Sequence, residues 1–178
     1  MKRLTLLLVL GLVCAYNYQL QNSASNTTHR VEKEKKHPVI EGRVVGIKDG
    51  DTIEILTGDK QLYTIRLAHV DTPERSQAYG KRAKQFTSDF CYGKQVSCSI
   101  TSTDLYKRSI GLVMVDGEEL NLAIIEAGYG WHYKKYSKSK IHVAAELAAR
   151  KQELGLWSDK RAVAPWDYRV QQRASTSN

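Results

Sequence analysis

Residues 39–47, 52–56 and 61–67 mix β-branched residues with alternating apolar and polar positions, the mark of half-buried strands. Turn residues separate them, Lys48-Asp49-Gly50 before the second and Thr57-Gly58-Asp59 before the third. The pattern predicts an antiparallel meander of three strands. From about residue 76 to 91 the spacing becomes helical, with Ala83, Phe86 and Phe90 apolar and Pro73 and Gly93 outside the ends. Residues 95–100 and 109–115 return to strand character, the second closed by a turn at Asp116-Gly117, and 120–127 and 138–153 read as helices. Five strands and three helices describe an α+β, mainly β, chain and fit a small Greek-key barrel, while leaving other small barrels open.

The two ends do not share this pattern. Lys2 and Arg3 precede an apolar stretch from Leu4 to Val13 and then Cys14-Ala15, the layout of a secretory signal peptide. Residues 1–15 are therefore expected to be removed, with Ser23-Ala24 a weaker cleavage site, and the product to be secreted or periplasmic. The stretch is short for a membrane span, so no stable span is expected after cleavage. An uncleaved anchor and a lipid on Cys14 are the competing readings. Residues 16–38 are polar and charged, too poor in apolar groups to bury a core, and are expected to form a flexible leader. The folded domain is expected over 39–168, with a disordered tail at 169–178.

Composition adds two constraints. A chain of 178 residues, 42% hydrophobic, suits one domain with a single core, and a monomer is the default. A formal charge of +8 and a pI near 9.4 favour anionic partners. Cys91 and Cys98 remain as an even pair once Cys14 is removed, and either a disulfide or two buried thiols satisfies the sequence.

The chemistry is concentrated at strand ends. Asp51 follows Asp49-Gly50, and Arg66, Asp71 and Glu74 fall within nine consecutive residues. Carboxylate oxygens are hard ligands suited to Ca²⁺ or Mg²⁺, and an arginine fork matches a phosphate, so the set suits a divalent cation meeting a nucleic-acid backbone. Asp51 at the start of one strand and Asp71 after the end of the next would lie at one end of an antiparallel hairpin, half of a cation cage. Each fragment has an ordinary reading: Asp49-Gly50-Asp51 as a hairpin turn, and Asp71-Thr72-Pro73-Glu74 as a helix N-cap. Arg66 at the end of an apolar strand, and Arg108 after Tyr106, are harder to explain by structure alone.

Asp49-Gly50-Asp51-Thr52, Arg66-Leu67, Asp71-Thr72-Pro73-Glu74 and Asp104-Leu105-Tyr106-Lys107-Arg108 occur in the order found in the staphylococcal nuclease-like (thermonuclease) family, which this chain resembles from about Ile40 to Trp166. Weaker likenesses are Tyr79-Gly80, Gly128 followed by aromatics, Ala145-Glu146-Leu147-Ala148-Ala149 and Gly155-Leu156-Trp157. The resemblance implies a five-stranded OB-fold barrel, a fold that commonly presents one face to oligonucleotides. It implies Ca²⁺ held by Asp51, Asp71 and the Thr72 carbonyl, with Asp49 nearby. It implies endonucleolytic hydrolysis of DNA and RNA with little sequence preference, leaving 3′-phosphates and 5′-hydroxyls. Arg66 and Arg108 would grip the phosphate, and Glu74 would position or deprotonate the attacking water.

Further substrate contacts are expected from Lys81, Lys84, Lys134, Lys135 and Lys138 as a basic track and from Tyr106, Tyr133 and Tyr136 as stacking groups. Solvated lysines and core tyrosines are the bland alternative. His69, His132 and His142 show no metal-ligand spacing, which argues against zinc. Lys107 replaces a glycine common before the arginine in relatives, and Lys81-Arg82 add positive charge where a helix N-terminus disfavours it. Two other function classes compete with a nuclease: a catalytically silent OB-type nucleic-acid binding module and an envelope-attached interaction protein. The first requires lost catalytic residues, whereas Asp51, Arg66, Asp71, Glu74 and Arg108 are all present.

Overall fold

A computed structural model of the chain describes residues 37–106 and 108–176. The expected signal peptide and nearly all of the expected leader lie outside the described residues.

Strands β1 (Val39–Asp49), β2 (Thr52–Leu56) and β3 (Leu62–Leu67) form the meander that the alternation predicts, with Ile47 opposite Ile53 and Thr52 opposite Arg66. β1 is long because it serves two neighbours. Its first half pairs with β5 (Gln95–Thr103), and irregular registers at Val44/Gly46 and Ile47/Asp49 bend the remainder onto β2. β5 pairs with β6 (Ser109–Val115), and β6 runs parallel to β3 with Arg66 opposite Ile110. That last pairing closes the barrel of five long strands. The fold is thus α+β with an OB-type barrel.

Alternate residues of every strand fill the interior. Val44, Ile53, Ile55, Ile65, Leu67, Cys98, Val113 and Val115 are all buried. Burying each branched side chain contributes about 1.5–3 kcal/mol. Opposite β5, a Cβ at Gly111 would lie 2.5 Å from the Cys98 sulfur, so this layer needs a glycine. Cys91 and Cys98 are free thiols, which settles the choice left open by the sequence, and burial pushes both up to about 12.

Helices close the barrel's flanks. α1 (Gly80–Cys91) turns Ala83, Thr87 and Cys91 inward at helical spacing. It begins four residues later than its periodicity predicts, because Tyr79 takes a left-handed conformation (φ 65°) and the preceding segment turns. α2 (Leu120–Glu126) buries Leu120, Ile124 and Ile125, and α3 (Lys140–Lys151) buries His142, Ala145, Glu146 and Ala149.

Three two-residue strands were beyond any periodicity: β4 (Val70–Asp71), β7 (Glu118–Glu119) and β8 (Trp131–His132). A short 3-10 turn (Gly155–Ser158) precedes α4 (Pro165–Thr176). Residues 169–176, expected as part of a disordered tail, are therefore helical. Pro165 at the first helical position, Asp167 in the first turn and Arg173 in the last suit the ends of such a helix.

Candidate active site

The β1–β2 turn carries Asp51 into the barrel end, where it is 6% exposed. Its Oδ2 accepts the Thr72 backbone N–H at 2.9 Å and the Thr72 hydroxyl at 3.0 Å, and its Oδ1 accepts from Thr52 Oγ1 at 3.1 Å. Gly50 permits this approach, since a Cβ there would meet Thr72 Oγ1 at 2.8 Å and Ala83 Cβ at 2.9 Å. Asp71 is fixed differently. His69, with φ 66°, turns the chain out of β3, and β4 then pairs with β8, placing Asp71 opposite Trp131. β8 is in turn held by α3, because Glu146 Oε2 accepts the His132 backbone N–H at 3.1 Å.

Arg66 joins the two acidic residues. Its Nη1 donates to the carbonyls of Val70 at 2.9 Å and Leu67 at 3.1 Å and lies 3.2 Å from Asp51 Oδ2, while Nη2 donates to Asp71 Oδ1 at 2.8 Å. The guanidinium is thus oriented by backbone as well as by charge. Glu74 follows on a turn of its own, its N–H donating to Gln77 Oε1 at 3.1 Å. Gly80 lies directly against this turn. A Cβ at position 80 would stand 1.9 Å from the Glu74 carbonyl oxygen.

Arg108 sits on the neighbouring wall. Its backbone N–H and Nε donate to Asp104 at 2.9 and 2.7 Å, and its guanidinium carbon lies 5.7 Å from the centre of the Tyr106 ring. Burial raises the Asp104 carboxyl, but the N–H, guanidinium and charge of Arg108 outweigh it and hold the group below its ordinary value. Arg108 and Tyr106 line a cleft of about 510 Å³ together with Asp49, Thr52, Tyr63 and Lys48. The expected phosphate-gripping arginine therefore opens onto the same end of the barrel as Asp49 and Thr52.

The family described as Staphylococcal nuclease homologue matches residues 64–159, more than half of the chain. The chain is also 37% identical over 131 residues to a Haemophilus influenzae protein named an uncharacterized endonuclease, covering 74% of each chain. It is 35% identical over 147 residues to a Shigella flexneri protein named micrococcal nuclease, covering 76% of this chain and 84% of that one. The chain belongs to the staphylococcal nuclease family. It is a nuclease, and its substrates are nucleic acids. The match includes Arg66, Asp71, Thr72, Glu74 and Arg108 but ends before α4. Among the described residues no helix is long and apolar enough to cross a membrane.

In this staphylococcal nuclease homologue the acidic groups outnumber the basic ones. Asp49, Asp51, Asp71 and Glu74 face Arg66 and a residue that sequence reasoning missed, Arg169 of α4. Burial, followed by the charges of Asp51 and Glu74, raises Asp49 above its ordinary value against the pull of Lys84 and Arg66. Burial likewise raises Asp71, opposed by Arg169 and Arg66 and reinforced by Asp51. The four carboxylates outnumber the cations that act on them, Arg66, Arg169 and Lys84, and oxygen donors of this kind suit a hard divalent ion. No three His, Cys, Asp or Glu side chains among the described residues are grouped to hold a metal. Arg169 engages two of these carboxylates: its Nη2 donates to Asp71 Oδ2 at 2.8 Å and its Nη1 to Glu74 Oε1 at 2.7 Å. Burial disfavours the Arg169 charge, but the hydrogen bonds it donates to Asp71 and Glu74 more than restore it and raise its pKa.

The remaining expected contacts divide. Lys84 lies close enough to Asp49 to lower its pKa, whereas Lys81 lines a separate cavity of about 600 Å³ with Arg75, Tyr79 and Arg82. Tyr106 is exposed beside Arg108. Tyr133 and Tyr136 meet edge to face at 4.8 Å, and Tyr133 lies parallel to Trp166 at 5.5 Å. Thr72 reaches the site as a donor to Asp51 through its N–H and hydroxyl. The three histidines, unrelated in spacing, do converge: His142 has His69 at 4.9 Å and His132 at 6.1 Å between ring centres.

Proposed function

We propose that this nuclease is an exported, calcium-dependent endonuclease that cleaves DNA and RNA with little sequence preference, leaving 3′-phosphates. The single observation carrying this reading is the Arg66 guanidinium suspended between Asp51 and Asp71, 3.2 and 2.8 Å away, beside an acidic cluster with unbalanced charge. Asp51, Asp71 and the Thr72 carbonyl are the residues that would hold Ca²⁺, whose chemistry is to polarise the scissile phosphate.

The chain's own groups supply the rest. Arg66, already oriented by two backbone carbonyls, donates to the phosphate oxygens on which charge grows. Arg108 donates from the neighbouring wall once the phosphate displaces Asp104. Glu74, 37% exposed, orients the attacking water and accepts its proton. A carboxylate is a weak base for water, so orienting the water carries much of its effect. Lys84 and Tyr106 extend the surface along the strand, and Tyr133 and Tyr136 offer faces on which bases stack.

The experiment is cleavage of labelled single-stranded DNA and RNA, with Ca²⁺ and with chelator, by the protein and by Glu74→Ser. Calcium-dependent cleavage that falls at least about a hundredfold in Glu74→Ser is expected. Cleavage unaffected by chelator would remove the calcium reading, and full activity in Glu74→Ser would remove the role given to Glu74.

A further inference from the structure

We infer that α4 is an intramolecular occupant of the nuclease site, with Trp166 in the place of a base on Tyr133 and Arg169 in the place of a cation between Asp71 and Glu74. It follows that metal and nucleic acid compete with this helix. The inference rests on the reading above, in which Asp71 holds a cation and Tyr133 stacks a base.

Two contacts of different chemistry, one helical turn apart, fall on two different parts of the site. Trp166 lies over Tyr133 with ring planes only 2° from parallel and centres 5.5 Å apart, which is stacking geometry for a base. Its edge also meets Trp131, the residue paired with Asp71, at 5.6 Å. Three positions on, Arg169 reaches Asp71 Oδ1 and Oδ2 at 3.3 and 2.8 Å and Glu74 Oε1 at 2.7 Å. Positions i and i+3 share a helix face, so one surface of α4 carries both stand-ins. An arginine brings one positive charge to carboxylates that a divalent ion would draw within about 2.3–2.6 Å, and both cannot use the same oxygens.

The attachment of α4 is of a releasable kind. Only Pro165 of the helix is buried. Exposed hydrogen bonds tie this end of the chain to the segment that follows Glu74: Gln77 Nε2 donates to the carbonyl of Val163, just before the helix, at 2.6 Å, and the Ser76 and Tyr168 hydroxyls lie 3.1 Å apart. An element with little apolar burial and exposed hydrogen bonds belongs to the low-stability end of a fold and can open without unfolding the rest. The barrel and its core are complete without it. A ligand that binds only the open form has its apparent dissociation constant multiplied by the reciprocal of the open fraction. Weakening α4 must therefore tighten metal binding even where the change touches no metal ligand.

The test is Ca²⁺ titration by calorimetry, without nucleic acid, on the full-length protein, Arg169→Gln and Trp166→Ala. Trp166→Ala decides, because it alters no charge near the carboxylates. Both variants are expected to bind Ca²⁺ at least about tenfold more tightly than the unmodified protein. Hydrogen exchange on the unmodified protein supplies a second readout: amides of residues 165–176 should exchange faster at saturating Ca²⁺. Equal Ca²⁺ affinity in Trp166→Ala, or unchanged protection of α4 at saturation, overturns the inference and leaves the metal reading intact. Failure of all three proteins to bind Ca²⁺ overturns the metal reading and the inference with it.

Discussion

Glu146 joins α3 to the active-site ribbon by accepting the backbone N–H of His132 at 3.1 Å. Its other oxygen accepts Arg150 Nε at 2.8 Å, and the Arg150 guanidinium lies against Trp131 and Trp157, 4.5 and 3.7 Å from their ring centres. The carboxylate is 2% exposed, so its partners lose a great deal when it goes. Glu146→Ala is expected to lower stability by about 2–4 kcal/mol, and Glu146→Gln by roughly half as much. Urea unfolding of the three proteins measures this.

Removing the Cβ-free approach at Gly80 should separate activity from stability. The added methyl of Gly80→Ala would sit 1.9 Å from the Glu74 carbonyl oxygen, so the turn carrying Glu74 must move. With Glu74 in the role proposed for it, a displacement of about an ångström is expected to cost about a hundredfold in rate. The ratio of kcat between Gly80→Ala and the unmodified protein, set beside their urea midpoints, should show rate falling far more than the barrel loosens.

Arg108 is placed in the cleft by Asp104 rather than by the core, and its side chain is 36% exposed. Arg108→Lys should therefore leave the urea midpoint nearly unchanged. A lysine keeps the charge but loses the planar fork, and kcat is expected to fall about 10²–10³-fold. Single-turnover cleavage at saturating enzyme measures it free of binding.

Acid should loosen the ribbon that carries Asp71. Burial, and then the charge of His142, lowers the pKa values of both His69 and His132; Glu119 opposes the shift at His69, Glu146 opposes it at His132, and Lys134 adds to it there. A histidine lowered in the folded state binds its proton more readily when unfolded. Its contribution to stability is thus complete above the unfolded value near 6.5 and is lost as pH falls from there through the folded values. Asp49 and Asp71, raised in the folded state, act in the opposite sense and gain stability below their folded values. Urea midpoints should fall between pH 7 and pH 5 and flatten at lower pH, and His69→Asn should shrink the fall.

The two core thiols should be chemically silent. With both pKa values at about 12 and no exposure, almost no thiolate is present at pH 8. Iodoacetamide should leave Cys91 and Cys98 of the native protein unmodified and alkylate both in denaturant, as peptide mass spectrometry reads directly.

The groups legible in the sequence were those whose position follows from a turn or a strand end. Asp51 and Arg66 face each other because β2 and β3 form a hairpin with Thr52 opposite Arg66, and alternation along the strands shows that much. Asp71 needed more, since β4 and β8 have two residues each and no period to read. Arg169 reaches Asp71 from 98 residues away, and no local pattern connects them. The same holds for the histidines, which meet only because β8 and α3 fold back onto the corner at His69. Pro165 and Asp167 at the start of α4 offered a signal, but a helix so little buried shows only a weak apolar stripe.

The parallel pairing of β3 with β6, Arg66 opposite Ile110, sets the order in which the molecule can assemble. The meander of β1, β2 and β3 involves only neighbouring strands and can form early. Joining β3 to β6 must wait for α1, β5 and β6 to exist, and it carries the larger loop-closure cost. Arg66 on β3 and Arg108, immediately before β6, come onto adjacent strands only when that ring has shut. Until then β3 is an edge strand with its outer N–H and C=O groups unpaired, so a ring left open offers a template for pairing with another chain.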